Sequence, residues 1–296
     1  LVGGESGEDE PQLAGAFFLG APLPLNGQLY VLAEVNGEIR LVVLDAANGR
    51  QLWSQQLAHV DARTILIDAT RRLAGATPSF ADGVLICPTS SGAVVAVDVA
   101  TRSLLWGYTY AQQSIDPRRM QMFRMGLYPN QPQQFGNRWA DASAAIADGK
   151  VIITPVESQE LHCPVLVAVR PVWRAPRVFE QGAATNTLLF TACVHNKQVV
   201  VVGKTHVTAL NLADGSPAWK EPLALGSMPS GTGFRSGDSY FLPVSEGEVL
   251  RIDLASGTVS QRVRSDKPLG NLICYQGEVI SQNVDVLSTF YQTDRL

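Results

Sequence analysis

A motif of twelve or thirteen residues recurs along the chain and limits its fold more than any other feature. The motif is an apolar strand that ends at Asp or Asn, then a turn, then a tryptophan eight residues after that Asp or Asn. Leu41–Trp53 and Val94–Trp106 align without a gap, Val207–Trp219 is a further copy, and Leu250–Gln261 carries glutamine in the tryptophan position. Units that repeat about every 40 to 50 residues, stretched where loops are inserted, are typical of β-propeller blades.

A second pattern precedes each unit: a polar turn followed by an apolar run. The turns are Asn26-Gly27, Asp82-Gly83, Asp148-Gly149, His195-Asn196-Lys197, Gly237-Asp238 and Gln276-Gly277. Asn-Gly and Asp-Gly pairs supply the positive φ angles that tight hairpins require. The sequence therefore predicts an all-β propeller of four-stranded antiparallel blades, with about six blades visible.

The repeated residues have a mechanical explanation that needs no ligand. Asp or Asn accepts hydrogen bonds from backbone N–H groups in the turn, glycine takes the left-handed position, and tryptophan packs against the neighbouring blade. The predicted blade-locking residues are Trp53, Trp106, Trp173 and Trp219, with Asp45, Asp98, Asn211, Asp253, Gly49, Gly215 and Gly257 in the turns.

The third copy departs from the repeat between residues 161 and 173. Pro164 and Val165 replace a strand residue and the turn aspartate, and Ala168-Val169 replaces Thr-Gly. Valine is a poor occupant of a left-handed position, so we expect this hairpin to differ from the others. For residues 164–187, a variant blade, a junction and a local reading-frame error all remain open.

Composition excludes several classes of partner. Charged residues make up 17% of the chain and apolar residues 46%, which is a globular balance. The net charge of −4 argues against binding to nucleic acid or to an anionic membrane surface. No apolar run approaches the length of a membrane helix.

Residues 1–14 are interpreted as an acidic linker and residues 15–296 as the propeller.

An insertion between the second and third units, residues 107–141, is the strongest candidate for a contact surface. Its aromatic, arginine and methionine residues have the chemistry of an adaptable interface. The candidate contact residues are Tyr108, Tyr110, Arg118, Arg119, Met122, Phe123, Arg124, Phe135 and Trp139. The alternative is that the loop covers the propeller mouth or packs on a blade rim.

The repeat resembles the PQQ-like, or quinoprotein-like, propeller family, whose signature is A-x-D-x-x-T-G-x-x-x-W. Ala96–Trp106 matches it with arginine for glycine, and Val43–Trp53 matches it with asparagine for threonine. The resemblance implies an eight-bladed ring within a longer polypeptide that carries further blades or domains. Such repeats occur in quinone-dependent alcohol dehydrogenases and in non-catalytic outer-membrane assembly lipoproteins. The second type is the closer match, and it implies a bacterial protein of the periplasm or cell envelope.

The dehydrogenase alternative finds little support among the residues. The resemblance implies an adjacent cysteine pair beside the quinone, and none of the four cysteines has a cysteine neighbour. Asp141, Glu157 and Glu160 are close in sequence but lack a recognised calcium-loop spacing. No H-E-x-x-H or G-x-S-x-G motif is present.

We therefore expect a binding or scaffold propeller without cofactor or metal, which contacts a protein or small ligand through a propeller face or the insertion. Two alternatives remain: a PQQ- and calcium-dependent dehydrogenase, and a carbohydrate- or peptide-binding module.

Overall fold

The computed structural model describes residues 13–60, 65, 68–111, 139–181 and 184–291. Within these ranges the chain is built almost entirely of antiparallel strands, and no helix is long and apolar enough to cross a membrane. It divides into two compact units, Leu1–Ala175 and Pro176–Leu296.

The first unit contains three sheets, which correspond to the first three sequence units. The first sheet comprises β1 (Phe17–Phe18), β2 (Leu23–Leu25), β3 (Gln28–Val35), β4 (Glu38–Asp45) and β5 (Gln51–His59). After helix α1 (Ala69–Arg72), the second sheet comprises β6 (Ser79–Ala81), β7 (Val84–Pro88), β8 (Ala93–Asp98) and β9 (Leu104–Thr109). The third comprises β10 (Ala145–Ala147), β11 (Lys150–Ile152), β12 (Glu160–Val165) and β13 (Ala168–Pro176).

The second unit contains three more sheets. The fourth sheet comprises β14 (Val178–Gln181), β15 (Ala184–His195), β16 (Gln198–Gly203), β17 (His206–Asn211) and β18 (Leu223–Ala224). The fifth comprises β19 (Phe234–Ser236), β20 (Ser239–Val244), β21 (Glu248–Asp253) and β22 (Thr258–Arg264). The sixth comprises β23 (Asn271–Tyr275), β24 (Glu278–Gln282) and β25 (Leu287–Tyr291). The β-propeller fold class is thus confirmed, although the described sheets have three to five strands rather than four throughout.

Five of the six polar turns that precede the apolar runs have the predicted left-handed backbone at two successive residues, and in the turn Gly237-Asp238 only Gly237 has it. Asn26 and Gly27 have φ angles of 50° and 73°, and Asp148 and Gly149 have 47° and 68°. Asn196 and Lys197 do the same without glycine, at 46° and 61°. Positive φ at two successive residues matches the twist of the flanking strands, so each pair closes a tight hairpin.

The motif turns are held by the hydrogen bonds expected from their residues. The carboxylate of Asp98 accepts bonds from the amide and hydroxyl of Thr101, at 2.6 and 2.7 Å. Asp253 binds the amide of Ser256 in the same way, at 2.7 Å. In the Val207–Trp219 copy the acceptor is instead Asp214, which binds the Ser216 amide at 2.9 Å.

The third-sheet hairpin differs from the others, as its residues predict. β12 ends at Val165 and β13 begins at Ala168, so the turn has two residues, Leu166 and Val167. Ala168 and Val169 belong to β13 rather than to a turn. The Leu166 amide donates to the Gly149 carbonyl at 2.8 Å, which is the bond that Val99 makes to Gly83 in the second sheet. The strands therefore keep their register although the turn is shorter.

Two motif tryptophans contact the next sheet of their own unit. Trp106 Nε1 donates to the Leu166 carbonyl at 2.8 Å, and Trp219 Nε1 donates to the Leu254 carbonyl at 3.2 Å. Leu166 and Leu254 each follow the Asp or Asn position of the next motif. Trp53 lies beneath the guanidinium of Arg102, 5.5 Å from its ring centre. Arg102 stands in the glycine position of its motif and adopts the left-handed backbone there, with a φ of 57°. Its side chain makes a cation–π contact with Trp53 that glycine could not make.

Candidate functional site

The predicted insertion begins later than the sequence indicates. Gly107–Thr109 belong to β9, so the predicted boundary at residue 107 lies at least three residues too early. Tyr108 is buried within the core between the second and third sheets rather than placed in a loop. Of the candidate contact residues, Arg118, Arg119, Met122, Phe123, Arg124 and Phe135 lie outside the described residues.

Three rings form a cluster where the second and third sheets meet. The rings of Tyr108 and Tyr110 lie 5.7 and 5.4 Å from the His162 imidazole, and 6.4 Å from each other. The Tyr108 hydroxyl lies 3.1 Å from His162 Nδ1. Because β9 carries Tyr108, Tyr110 directly follows β9 and β12 carries the histidine, this cluster joins the end of the last strand of one sheet to the third strand of the next.

Glu157 connects the end of β9 to two neighbouring loops. Its Oε1 accepts the Tyr110 hydroxyl at 2.6 Å and the Gly92 amide at 3.0 Å. Burial, and then the adjacent carboxylate of Glu157, raise the pKa of Tyr110 well above its ordinary value, so the hydroxyl stays protonated and donates a hydrogen bond to that carboxylate. The second oxygen of Glu157 is buried without a hydrogen-bond partner among the described residues.

The chain is equally well held where the described structure resumes at Trp139. Trp139 is 3% exposed. The Asp141 carboxylate accepts the Ser143 amide at 2.7 Å, and the Asp141 carbonyl accepts the Thr154 hydroxyl at 2.8 Å. The described chain is therefore fixed at Tyr110, after the second sheet, and again at Trp139 and Asp141, before the third.

Ser158 and His162 lie as close together as a nucleophile and its general base, but both side chains are buried away from solvent and from any substrate. Ser158 Oγ lies 3.1 Å from His162 Nε2, and both residues are 1% exposed. Burial lowers the pKa of His162 to about 4, so the ring is neutral at physiological pH. The serine also accepts the Glu160 amide at 3.2 Å. This arrangement fills hydrogen-bonding positions inside the core and reaches no substrate.

The neutral state of His162 predicts a loss of stability in mild acid. An unfolded histidine has a pKa of 6.5, so between about pH 6.5 and 4 the unfolded chain binds more protons than the folded protein. The free energy of unfolding should keep its full value above pH 6.5 and fall by up to about 3 kcal/mol as the pH drops from 6.5 to 4. Urea denaturation across this range measures the loss. His162→Gln should show a flatter profile; an equally steep profile would assign the loss to other groups.

The three carboxylates considered for calcium are engaged separately. Asp141 caps its own turn, Glu157 binds Tyr110 and Gly92, and Glu160 lies 3.5 Å from Arg174. In the ranges that the structure describes, no group of three or more His, Cys, Asp and Glu side chains converges.

A shallow groove on the first sheet was not indicated by the sequence. It encloses about 370 Å³ beside β4 and β5. Arg40 is among its lining residues, where it pairs with Glu38 at 2.8 Å and donates to Ser54 at 2.9 Å. The polar groups of Arg40, Glu38 and Ser54 in the groove are thus bound to each other rather than presented to a ligand.

Comparison with known proteins supports the resemblance read from the repeats. Residues 12–125 match a family model described as outer membrane protein assembly factor BamB. No curated protein sequence gives a significant match.

Solved structures match over most of the chain. BamB from Moraxella catarrhalis has 15% identity and a TM-score of 0.50, over 92% of this chain and 84% of that one. The computationally designed protein Ika8 has 12% identity and a TM-score of 0.58, over 92% and 70%. A chain of the mitotic checkpoint complex has 11% identity and a TM-score of 0.56, over 90% and 72%. At such identities these structures show the fold alone. The family-model match confirms the resemblance to PQQ-like propellers of the BamB type over residues 12–125.

Proposed function

We propose that this chain is a non-catalytic propeller scaffold that binds a protein partner through the segment 112–138. The observation that carries the proposal is the anchoring of both ends of that segment. Tyr110 is fixed by Glu157 before it, and Trp139 and Asp141 are buried or hydrogen-bonded after it. A long connection between rigid strands, held at both ends, is the usual way in which a scaffold presents a binding loop.

The surroundings of the two anchors favour a contact at one edge of the sheets. In an antiparallel meander, the turn between the second and third strands lies at the same edge as the connection to the next sheet. The Tyr110 amide donates to Gly92 at 3.0 Å, and Gly92 in turn binds Glu157 of the third sheet. The turn at Gly92, the loop at Glu157 and both ends of the segment therefore share this edge.

The chemistry of the segment suits a protein partner. Arg118, Arg119 and Arg124 are interleaved with Met122 and Phe123, and methionine, aromatic and arginine residues are enriched in protein interfaces. We propose further that the protein works in the cell envelope, because its family model describes an outer-membrane assembly factor. The blade-locking role of the motif tryptophans belongs to the same proposal, since rigid blades fix the loop ends.

The scaffold proposal predicts no response to the quinone cofactor. Purified protein titrated with pyrroloquinoline quinone and calcium should keep its melting temperature within about 1 °C, because a ligand raises Tm only when it binds the folded state. Differential scanning fluorimetry and the cofactor absorbance spectrum give two independent readouts. A saturable rise of several degrees would favour the dehydrogenase alternative.

Deletion of residues 112–138, with Ala111 joined to Trp139 by a short Gly-Ser linker, tests the proposed contact directly. The deletion should leave Tm nearly unchanged, because the anchors belong to the sheets, and should abolish co-purification of a defined envelope protein. An unchanged partner profile in the folded deletion variant would overturn the proposal. A matched variant in which the same residues are replaced by a Gly-Ser linker of equal length separates loop chemistry from loop length.

A further inference from the structure

A histidine joins the fourth and fifth sheets within the second unit. His195 ends β15 and is 9% exposed. Its Nδ1 lies 3.0 Å from a guanidinium nitrogen of Arg235 on β19. Its Nε2 lies 3.1 Å from the carboxylate of Asp238, in the turn between β19 and β20. One buried ring therefore contacts a cation and an anion of the neighbouring sheet.

The chemistry of these two neighbours decides which ring nitrogen carries the hydrogen. Arginine only donates hydrogen bonds, so Nδ1 accepts from Arg235 and carries no hydrogen in the neutral ring. The hydrogen is then on Nε2, which donates a hydrogen bond to Asp238. The amide nitrogen of Asn196 also lies 3.0 Å from Nε2. Because two N–H donors cannot bind each other, a half-turn of this amide, which places its oxygen there, completes the arrangement.

Protonation of His195 leaves only one of the two contacts intact. Both ring nitrogens of the charged imidazolium are donors, so Nδ1 can no longer accept a hydrogen bond from Arg235. Two positive charges would also face each other at the present separation of 3.0 Å, and they repel. The contact with Asp238 instead becomes an ion pair. Acid therefore separates Arg235 from β15 while the contact with Asp238 persists.

The other titratable groups around the ring do not replace either partner. Lys197 follows in the hairpin after β15 and is exposed to solvent. Cys193 precedes the histidine on β15, and burial raises the pKa of its thiol to about 11, so the thiol carries no charge at neutral pH. The carboxylate of Asp253 is held in its own motif turn, at 2.7 Å from its donors. Among the described residues, Arg235 and Asp238 are thus the charges in contact with the ring.

We propose that His195 is a pH-sensitive contact that holds Arg235 against the fourth sheet when neutral and releases it when protonated. Arg235 and Asp238 belong to one tight hairpin, whose turn is set by Gly237 with a φ of 57°. The hairpin therefore stays attached through Asp238 while the Arg235 side chain moves. Arg235 is an exposed residue, so acid adds an unpaired cation to the surface beside β15. This contact lies in the second unit and does not rest on the proposed function of segment 112–138.

Nitrogen NMR of the histidine rings in the full chain tests the charge balance at His195. The neutral ring should carry its hydrogen on Nε2. Arg235→Met should raise the pH at which half of the rings are protonated by at least about 0.5, because a repelling cation is gone, and Asp238→Asn should lower that pH. The matched control Arg251→Met removes the same charge from the other face of the fifth sheet, where Arg251 lies over Phe241. It should change that pH by less than about 0.2.

Carbon-detected NMR of the arginine guanidinium groups tests the release itself. The Arg235 signal should move with the same midpoint as the His195 ring. In His195→Gln the side-chain oxygen still accepts from Arg235 but takes up no proton, so the Arg235 signal should stay constant over the same pH range. Three outcomes would overturn the proposal: a hydrogen on Nδ1 of the neutral ring, a midpoint that Arg235→Met does not raise, or an Arg235 signal that does not follow the ring. The first and third are read from the wild-type protein, so they decide even if a variant fails to fold.

Discussion

Replacing Arg71 with methionine is expected to destabilise the protein by about 3–5 kcal/mol, because it strands a buried charge. Arg71 Nε donates to Glu34 Oε2 at 2.8 Å, and the two side chains are 5% and 3% exposed. Burial raises the pKa of Glu34, and Arg71 opposes that rise. Without the guanidinium, the carboxylate must either stay charged in the core or take up a proton. Urea denaturation at neutral pH measures the loss.

The double variant Arg71→Met with Glu34→Gln is the matched control. It removes both charges and should recover a large part of the stability, since the cost lies in the unpaired ion rather than in the lost pair. The single variant should also gain stability relative to the wild type as the pH falls toward the ordinary carboxyl pKa of 4.5, because the folded state then binds the extra proton. A single variant within about 1 kcal/mol of the wild type would contradict this account of the pair.

Replacing Trp219 with alanine should cost about 3–5 kcal/mol through the cavity it leaves. Trp219 is 6% exposed and belongs to the core between the fourth and fifth sheets. A Cβ at Gly257 would lie 2.5 Å from its ring, so the indole packs directly on the turn of the next motif. The variant also removes the hydrogen bond to the Leu254 carbonyl. Thermal denaturation monitored by circular dichroism gives the change in Tm.

Gln261 provides a control at the same motif position. It stands where the other copies have tryptophan and is exposed, so Gln261→Ala should change stability by less than about 0.5 kcal/mol. Trp219→Phe keeps most of the ring area and loses the indole hydrogen bond, so it should fall between the two. If Trp219→Ala and Gln261→Ala behaved alike, the blade-locking role of the tryptophan would be wrong.

The repeat made the strands and their turns predictable because each motif encodes a local structure. Asn26-Gly27 and Asp148-Gly149 need a positive φ that few residues tolerate, and the turn aspartates bind amides two or three residues away. Such interactions join residues that are close in sequence, so they can be inferred without knowing the tertiary structure. The same reasoning identified residues 161–173 as an altered hairpin, since a valine at Val169 cannot replace glycine in a left-handed turn.

The features around the candidate site could not be inferred because they join residues far apart in the chain. The contact of Tyr110 with Glu157 depends on how the second and third sheets pack rather than on any local pattern. The same holds, away from the site, for Arg71 of α1 and Glu34 of β3, which lie 37 residues apart in the chain. The insertion was expected to start at residue 107, but Gly107–Thr109 belong to β9 and Tyr110 directly follows that strand. The alternation of Trp106 and Tyr108 was a signal that β9 continues as far as Thr109.

Site-specific photocrosslinking from segment 112–138 tests the central claim most directly. A photoreactive amino acid at Met122 should give a discrete adduct with one envelope protein in the source cells. The control position is Ala100, which is exposed in the motif turn at the opposite end of the same sheet. The scaffold account predicts an adduct from Met122 and none from Ala100. No adduct from Met122, or the same adduct from both positions, would contradict the claim that this segment is the binding loop.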